Sequence, residues 1–186
     1  MVTKTETTTI VTTPKLPDQV QPSVKRWLKH VCYLPASKRY FSKADQLAIA
    51  DVVQQAEQGH VGEIQVVIEG AMPSRVAYHM DTRLRAEQLF AELGVWDTEY
   101  NSGVLLYLNL CEQKVEIVID RGIQQLTSQQ CWDQLCADLL IGLKNKDYRA
   151  AVSTAIVEIG KIFNAFDQHP EIAKQNELLD LPIILS

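Results

Sequence analysis

A small α/β/α sandwich, with a mixed sheet and helices on both faces, is the fold class that the chain predicts. Three observations carry the prediction. Segments with helical apolar spacing alternate with short Ile/Val/Leu-rich runs in the order α-β-α-β-β-α-α. One run, Val104-Leu105-Leu106-Tyr107-Leu108, is apolar without interruption, the pattern of a strand buried on both faces. The 186 residues, 46% hydrophobic and 22% charged, suit one domain with its own core plus tails.

Residues 1–20 hold seven Thr, two Pro and few large apolar side chains, a composition that predicts an unstructured arm. Residues 21–34 read as a basic amphipathic helix. Ser23 is its N-cap, Val24, Trp27, Leu28 and Val31 form an apolar stripe, and Lys25, Arg26, Lys29 and His30 fill the other side. Residues 35–169 form the α/β domain. Its first helix starts at Ser42 with Asp45 three residues on and stops at Gly59. Gly62 to Glu69 reads as a strand, and residues 75–93 as one long helix ending at Gly94. The central strand is Gly103 to Leu110, a tight turn covers 111–114, and Val115, Ile117 and Ile119 alternate along a hairpin partner. Thr127 with Gln130 predicts a capped helix to about Lys144, and Asp147 caps a last one ending near Pro170. Residues 170–186 are a tail with an apolar end too short to fold alone.

Charge and motifs exclude several functions. Residues 1–43 hold 8 Lys/Arg against 2 acids, and residues 44–186 hold 10 against 21. An acidic body repels phosphates, so no nucleic-acid partner is expected. The longest apolar run is far short of a membrane span and the N-terminus has no apolar secretory core, so no transmembrane segment and a cytoplasmic location are expected. Cys32, Cys111, Cys131 and Cys136 include no C-x-x-C pair, and H-E-x-x-H, the P-loop, G-x-G-x-x-G and G-x-S-x-G are missing. Cys111 at a hairpin tip, with no adjacent His, reads as an unreactive small residue.

The stretch from Arg85 through Ala-Glu-Gln-Leu-Phe to Asn101-Ser-Gly-Val-Leu, followed by Val115-Glu-Ile-Val-Ile-Asp-Arg-Gly-Ile123, resembles the TPM domain family over roughly residues 36–166. That family takes in thylakoid-lumen phosphatase-like proteins and many bacterial proteins of unknown function. The resemblance implies an α/β sandwich, a site built from loops at one end of the sheet, divalent-cation binding in some members and a disputed acid-phosphatase activity in the plant branch. The chain departs from the commoner pattern in lacking a signal peptide and a C-terminal anchor, and in carrying Asp120-Arg121-Gly122-Ile123 where many members have a two-glycine turn. It is similar to a shorter, soluble bacterial branch.

The hairpin brings acids to one end of the sheet. With residues 111–114 as the turn, Asp120 pairs with Leu105, Arg121 with Val104 and Gly122 with Gly103, so the 97–101 loop and the 120–122 exit share an end. A strand parallel to the central one adds His60 and Glu63 there. Glu63, Asp97, Glu99, Asn101 and Asp120 then offer oxygen ligands suited to Ca²⁺ or Mg²⁺, with Arg121 placed to hold an anion. The alternative is structural: turns at Asp97-Thr98 and Asn101-Gly103, and Arg121 neutralising its neighbours. Trp96 and Tyr100 stack a ligand or anchor the loop. For the basic helix, with Lys25, Arg26, Trp27 and Lys29 as surface candidates, two fates compete. One is docking of the apolar stripe on the body, which is the reading taken; the other is contact with a membrane surface or protein partner. The favoured function is an accessory or binding module with a protein partner, and the alternative is a cation-dependent phosphomonoesterase.

Overall fold

The computed structural model describes residues 8–10, 20–33, 40–166 and 176–185. The elements are β1 (Thr8–Ile10), α1 (Val24–Val31), α2 (Lys43–Ala56), β2 (Glu63–Glu69), α3 (Ser74–His79), α4 (Thr82–Glu92), β3 (Gly103–Asn109), β4 (Lys114–Ile119), α5 (Arg121–Leu126), α6 (Gln129–Lys144), α7 (Tyr148–Phe166) and β5 (Ile183–Leu185). The strands form one mixed sheet in the order β1-β4-β3-β2-β5. β3 lies antiparallel to β4 and parallel to β2. It is central and buried along its whole length, as its apolar run requires.

The two-residue period of the strands sorts their side chains onto two faces. Ile64, Val66, Ile68, Val104, Leu106, Leu108, Val115, Ile117 and Ile119 share a core with Ile49 and Val53 of α2, Trp132 and Leu139 of α6, and Val152, Ile156 and Phe163 of α7. On the other face Val67, Leu105, Tyr107 and Val118 pack against Ala86, Leu89 and Phe90 of α4. The second cluster is smaller because Glu63, Gln65, Glu69, Asn109, Glu116 and Asp120, all buried, alternate with the residues of the first core.

Helix starts follow their caps. Ser42 and Asp45 make a reciprocal capping box at α2, and the Ser23 hydroxyl accepts the Arg26 N–H at 3.2 Å. The helix expected over 75–93 is instead two. Met80 and Asp81 are extended, and the Asp81 carboxylate accepts the Leu84 N–H at 2.9 Å, restarting the helix. A capping box at Thr127 is not formed. Its hydroxyl donates to the Ile123 carbonyl and accepts the Trp132 indole N–H, so Ser128 becomes the N-cap of α6.

Three further expectations are corrected. Thr8–Ile10, placed in an unstructured arm, pairs parallel with β4, whose outer edge offers unpaired backbone groups to a β-branched Thr-Thr-Ile. The rest of the arm lies outside the described residues. The C-terminal tail contributes Ile183–Leu185 to the outer edge of β2, with Gly70 N–H bonded to the Leu185 carbonyl at 2.9 Å. The hairpin turn is Leu110–Gln113, with Gln113 at φ 55°, so Asn109 pairs with Lys114 and Val104 with Ile119. The slip carries Asp120 from Leu105 to Gly103, an even step that keeps its face. Among the described residues no helix is long and apolar enough to cross a membrane.

Candidate cation site at the loop end of the sheet

Backbone hydrogen bonds weld three segments into one end of the sheet. Ser102 C=O accepts the Glu63 N–H at 3.2 Å, Gly103 C=O accepts the Asp120 N–H at 2.9 Å and Asn101 C=O accepts the Gly122 N–H at 3.0 Å. The loop between α4 and β3 reaches this position through two left-handed residues, Gly94 at φ 70° and Asn101 at φ 51°. Thr98 Oγ1 accepts the Ser102 N–H at 2.9 Å, and the Ser102 hydroxyl donates to the Val61 carbonyl at 2.6 Å. A side chain at position 122 would put its Cβ 2.6 Å from the Asn101 carbonyl oxygen and 2.9 Å from that of Tyr100. Only glycine allows α5 to start against this loop.

Asp120 is the N-cap of α5 and is buried. Its Oδ1 accepts the Arg121 N–H at 2.6 Å, while its Oδ2 is buried with no hydrogen-bond partner. Burial raises its carboxyl above the usual aspartate range, against the opposing pull of the Arg121 N–H and guanidinium. An orphaned carboxylate oxygen is a hard donor, the kind that Ca²⁺ and Mg²⁺ complete.

The other residues expected here have separate fates. Glu63 is buried, and its two oxygens accept the Glu177 and Leu178 N–H groups at 3.3 Å each, tying the C-terminal segment to the sheet. Asp97, Glu99, Asn101 and Arg121 are exposed. The Glu99 N–H donates to the Glu177 carboxylate at 3.2 Å. His60 is buried, its ring meeting the Ala56 carbonyl, the Gly62 N–H and the Phe163 ring. Five oxygen donors therefore share an end of the sheet by backbone, yet their carboxylates do not form a preassembled cage. Among the described residues the one group of three His/Cys/Asp/Glu ligand atoms within 4.8 Å is His30, Cys111 and Glu112, at the opposite end.

That second group is a latch. The His30 Nδ1 accepts the Met72 N–H at 3.0 Å, which leaves the ring proton on Nε2, with Glu112 Oε1 3.2 Å away but off the N–H axis. An Nε2 that carries a proton has no lone pair for a metal. The Cys111 thiol is pushed up to about 11 by burial, so it is neither a ready ligand nor a nucleophile. The neighbouring His30 ring and Lys29, each 3.2 Å away, lower the Glu112 carboxyl to about 2.

Sequence reading missed a buried polar network beside the latch. Arg85 donates to Glu69 at 2.8 Å, the Tyr107 hydroxyl donates to Glu69 at 2.6 Å, and Asn109 donates to the Tyr107 oxygen at 2.8 Å. Glu116 accepts the Thr82 hydroxyl, and burial pushes its carboxyl up to about 7. The available signal was two glutamates inside otherwise apolar strands, facing the side opposite the main core.

Of the surface candidates, Arg26 donates to the Ala77 carbonyl at 2.6 Å and the Tyr78 carbonyl at 3.2 Å, and Lys29 pairs with Glu112. Lys25 and Trp27 are exposed. The expected docking of the apolar stripe is overturned: α1 holds the body through its polar side, because carbonyls of α3 and the Glu112 carboxylate await donors there.

Comparison with known proteins follows this geometry. The model of the TPM domain family matches residues 36–162. No curated protein matches. The fold is similar to the BA42 protein from the psychrophilic bacterium Bizionia argentinensis, solved by NMR, with a TM-score of 0.66 and 22% identity over 77% of this chain and 94% of that one. It is also similar to the N-terminal domain of a P. gingivalis protein, with a TM-score of 0.59 and 16% identity over 73% of this chain and 83% of that one. At these identities the likeness is one of fold.

Proposed function

Because the chain belongs to the TPM domain family, we propose that it is a non-catalytic binding module that takes a divalent cation, Ca²⁺ or Mg²⁺, at the loop end of its sheet and presents that end to a protein partner. The observation that carries the reading is the buried, unpartnered Oδ2 of Asp120. Asp97, Glu99 and Asn101 stand in solvent on the loop whose Asn101 carbonyl accepts the Gly122 N–H, and Ca²⁺ recruits six to eight oxygens, water included. A bound cation would remove the burial cost that raises the Asp120 carboxyl. Arg121, exposed next to it in sequence, is the residue to hold an anionic group of the partner. The phosphomonoesterase reading has no comparable support, since Cys111, grouped with His30, has its thiol pushed up to about 11.

Calorimetry with CaCl₂ and MgCl₂ tests the proposal. Saturable heat is expected for the wild type, abolished by Asp120→Asn and weakened by Asp97→Asn or Glu99→Gln. Heat no greater than dilution, or heat that survives Asp120→Asn, would falsify the site.

A further inference from the structure

A helix with one apolar and one basic side is ordinarily docked by the apolar side, and α1 is docked the other way round. Ser23 N–H reaches the Tyr78 carbonyl at 3.0 Å, Arg26 reaches the carbonyls of Ala77 and Tyr78, and His30 is buried between Met72 and Glu112. These bonds come from residues 23, 26 and 30, one side of an 8-residue helix. The adjoining side carries Val24, Trp27, Leu28 and Val31 at relative exposures of 63%, 38%, 52% and 51%. A stripe with helical spacing is thus held outward by a rigid polar latch. Isolated exposed apolar residues need no explanation, but four in register on one helix do.

The charges beside the stripe point to its occupant. α1 contains no acid, and Lys25 and Lys29 flank one side of the stripe. On the side of α1 away from the stripe a pocket of about 310 Å³ is lined by Lys25, Arg26, Lys29 and Lys114, with Asp81 and Glu112 as its acids, so the surroundings of the helix are net basic. Glu112 is already paired with Lys29 at 3.2 Å. Four half-exposed side chains offer on the order of 300 Å², against about 800 Å² per partner in a stable dimer, so a second copy is a poor fit. An interfacial helix needs only shallow insertion plus electrostatic attraction, and a Trp at the headgroup level suits it. Acids elsewhere on the body are screened beyond about 8 Å at physiological salt.

We infer that α1 is an interfacial anchor that seats the domain on an anionic lipid surface, with Val24, Trp27, Leu28 and Val31 entering the headgroup region and Lys25 facing lipid phosphates. The test is co-sedimentation of the full chain with phosphatidylcholine vesicles with and without phosphatidylglycerol. Binding is expected only with the anionic lipid and is released by raised salt. Combining Trp27→Ser with Leu28→Ser abolishes binding. Lys25→Ala weakens it about fivefold, the equivalent of one lysine at a charged surface. Arg26, His30 and Glu112 are left intact because they hold the helix on the body. Each variant is checked for an unchanged melting temperature, expected because the substituted side chains are exposed. The inference is overturned by equal sedimentation of wild type and the double variant. Inorganic phosphate displacing the protein from vesicles at ordinary buffer concentration would also overturn it, since that marks a free-anion pocket. So would a wild-type dimer that the double variant dissolves, since the stripe's occupant is then a second copy.

Discussion

The two ends of the sheet treat their charges in opposite ways. At the end that carries Glu69, Asn109 and Lys114, most charges have a partner in the fold, Arg85 and the Tyr107 hydroxyl on Glu69, Lys29 on Glu112 and Thr82 on Glu116, with one oxygen each of Glu112 and Glu116 left unmet. At the end that carries Glu63, Gly103 and Asp120, one acid is spent on the C-terminal segment, one retains a buried oxygen without a partner, and Asp97, Glu99 and Arg121 remain in solvent. Charge density alone does not locate a functional site. The informative groups are those the fold has not consumed.

The largest expected effect tests the consumed end. Arg85→Ala leaves Glu69 buried beside Tyr107 without its cation, and should cost about 3–5 kcal/mol in urea unfolding, the usual penalty for one partner of a buried pair. A cost below about 1 kcal/mol would erase the contrast between the two ends.

Glu116 sharpens it. Its folded carboxyl sits near 7 because it is buried, against 4.5 ordinarily, so the folded chain keeps a proton that the unfolded chain has lost. Stability from this group is full below the unfolded value, declines as pH rises and is exhausted above about 7. Glu116→Gln should therefore be more stable than wild type at pH 8, by up to about 3 kcal/mol, and level with it under acid conditions. Thermal melts at both ends of the range decide this.

Glu112 works in the other direction, because the adjacent His30 ring and Lys29 lower its folded carboxyl to about 2. Its contribution is present above the ordinary value of 4.5 and is lost as pH falls toward 2. Glu112→Gln should cost about 2 kcal/mol at neutral pH and shift the amide resonances of residues 24–31, while amides of the loop end stay in place. The smallest effect belongs to the unconsumed groups. Asp97→Ala and Glu99→Ala should each change stability by less than about 0.5 kcal/mol, and a larger loss would mean that the loop acids are structural.

Much of this was legible in residue patterns. The strand order, the burial of Gly103–Asn109, the caps at Ser23 and Ser42 and the stop at Gly94 rest on local chemistry, in which a side chain and the backbone within a turn of it decide the outcome. The convergence of Asn101, Asp120 and Gly122 was legible too, since a hairpin and a parallel pairing constrain which ends meet. Its register was not. A turn of four residues fits equally well one place along at Leu110 or at Cys111, and the choice rests on Gln113 accepting a left-handed conformation.

By itself, then, the amino-acid order determined most of the helices, the buried strands and the family likeness, because periodicity and capping act over a few residues, while the break at Met80–Asp81, the short α5 and the two edge strands were not legible in it. Only the tertiary structure decided which polar groups meet. Arg26 finds the carbonyls of α3 some fifty residues away, and Glu69 finds Arg85 across the face of the sheet. Glu63 is claimed by a segment more than a hundred residues later. The apolar stripe of α1 reads as a core-facing surface in sequence, yet the polar side is bound, since unpaired carbonyls and a buried carboxylate cost more to leave unmet than four half-exposed apolar side chains. Such long-range competition has no local signature, and it turns the stripe outward and leaves Asp120 with an oxygen to spare.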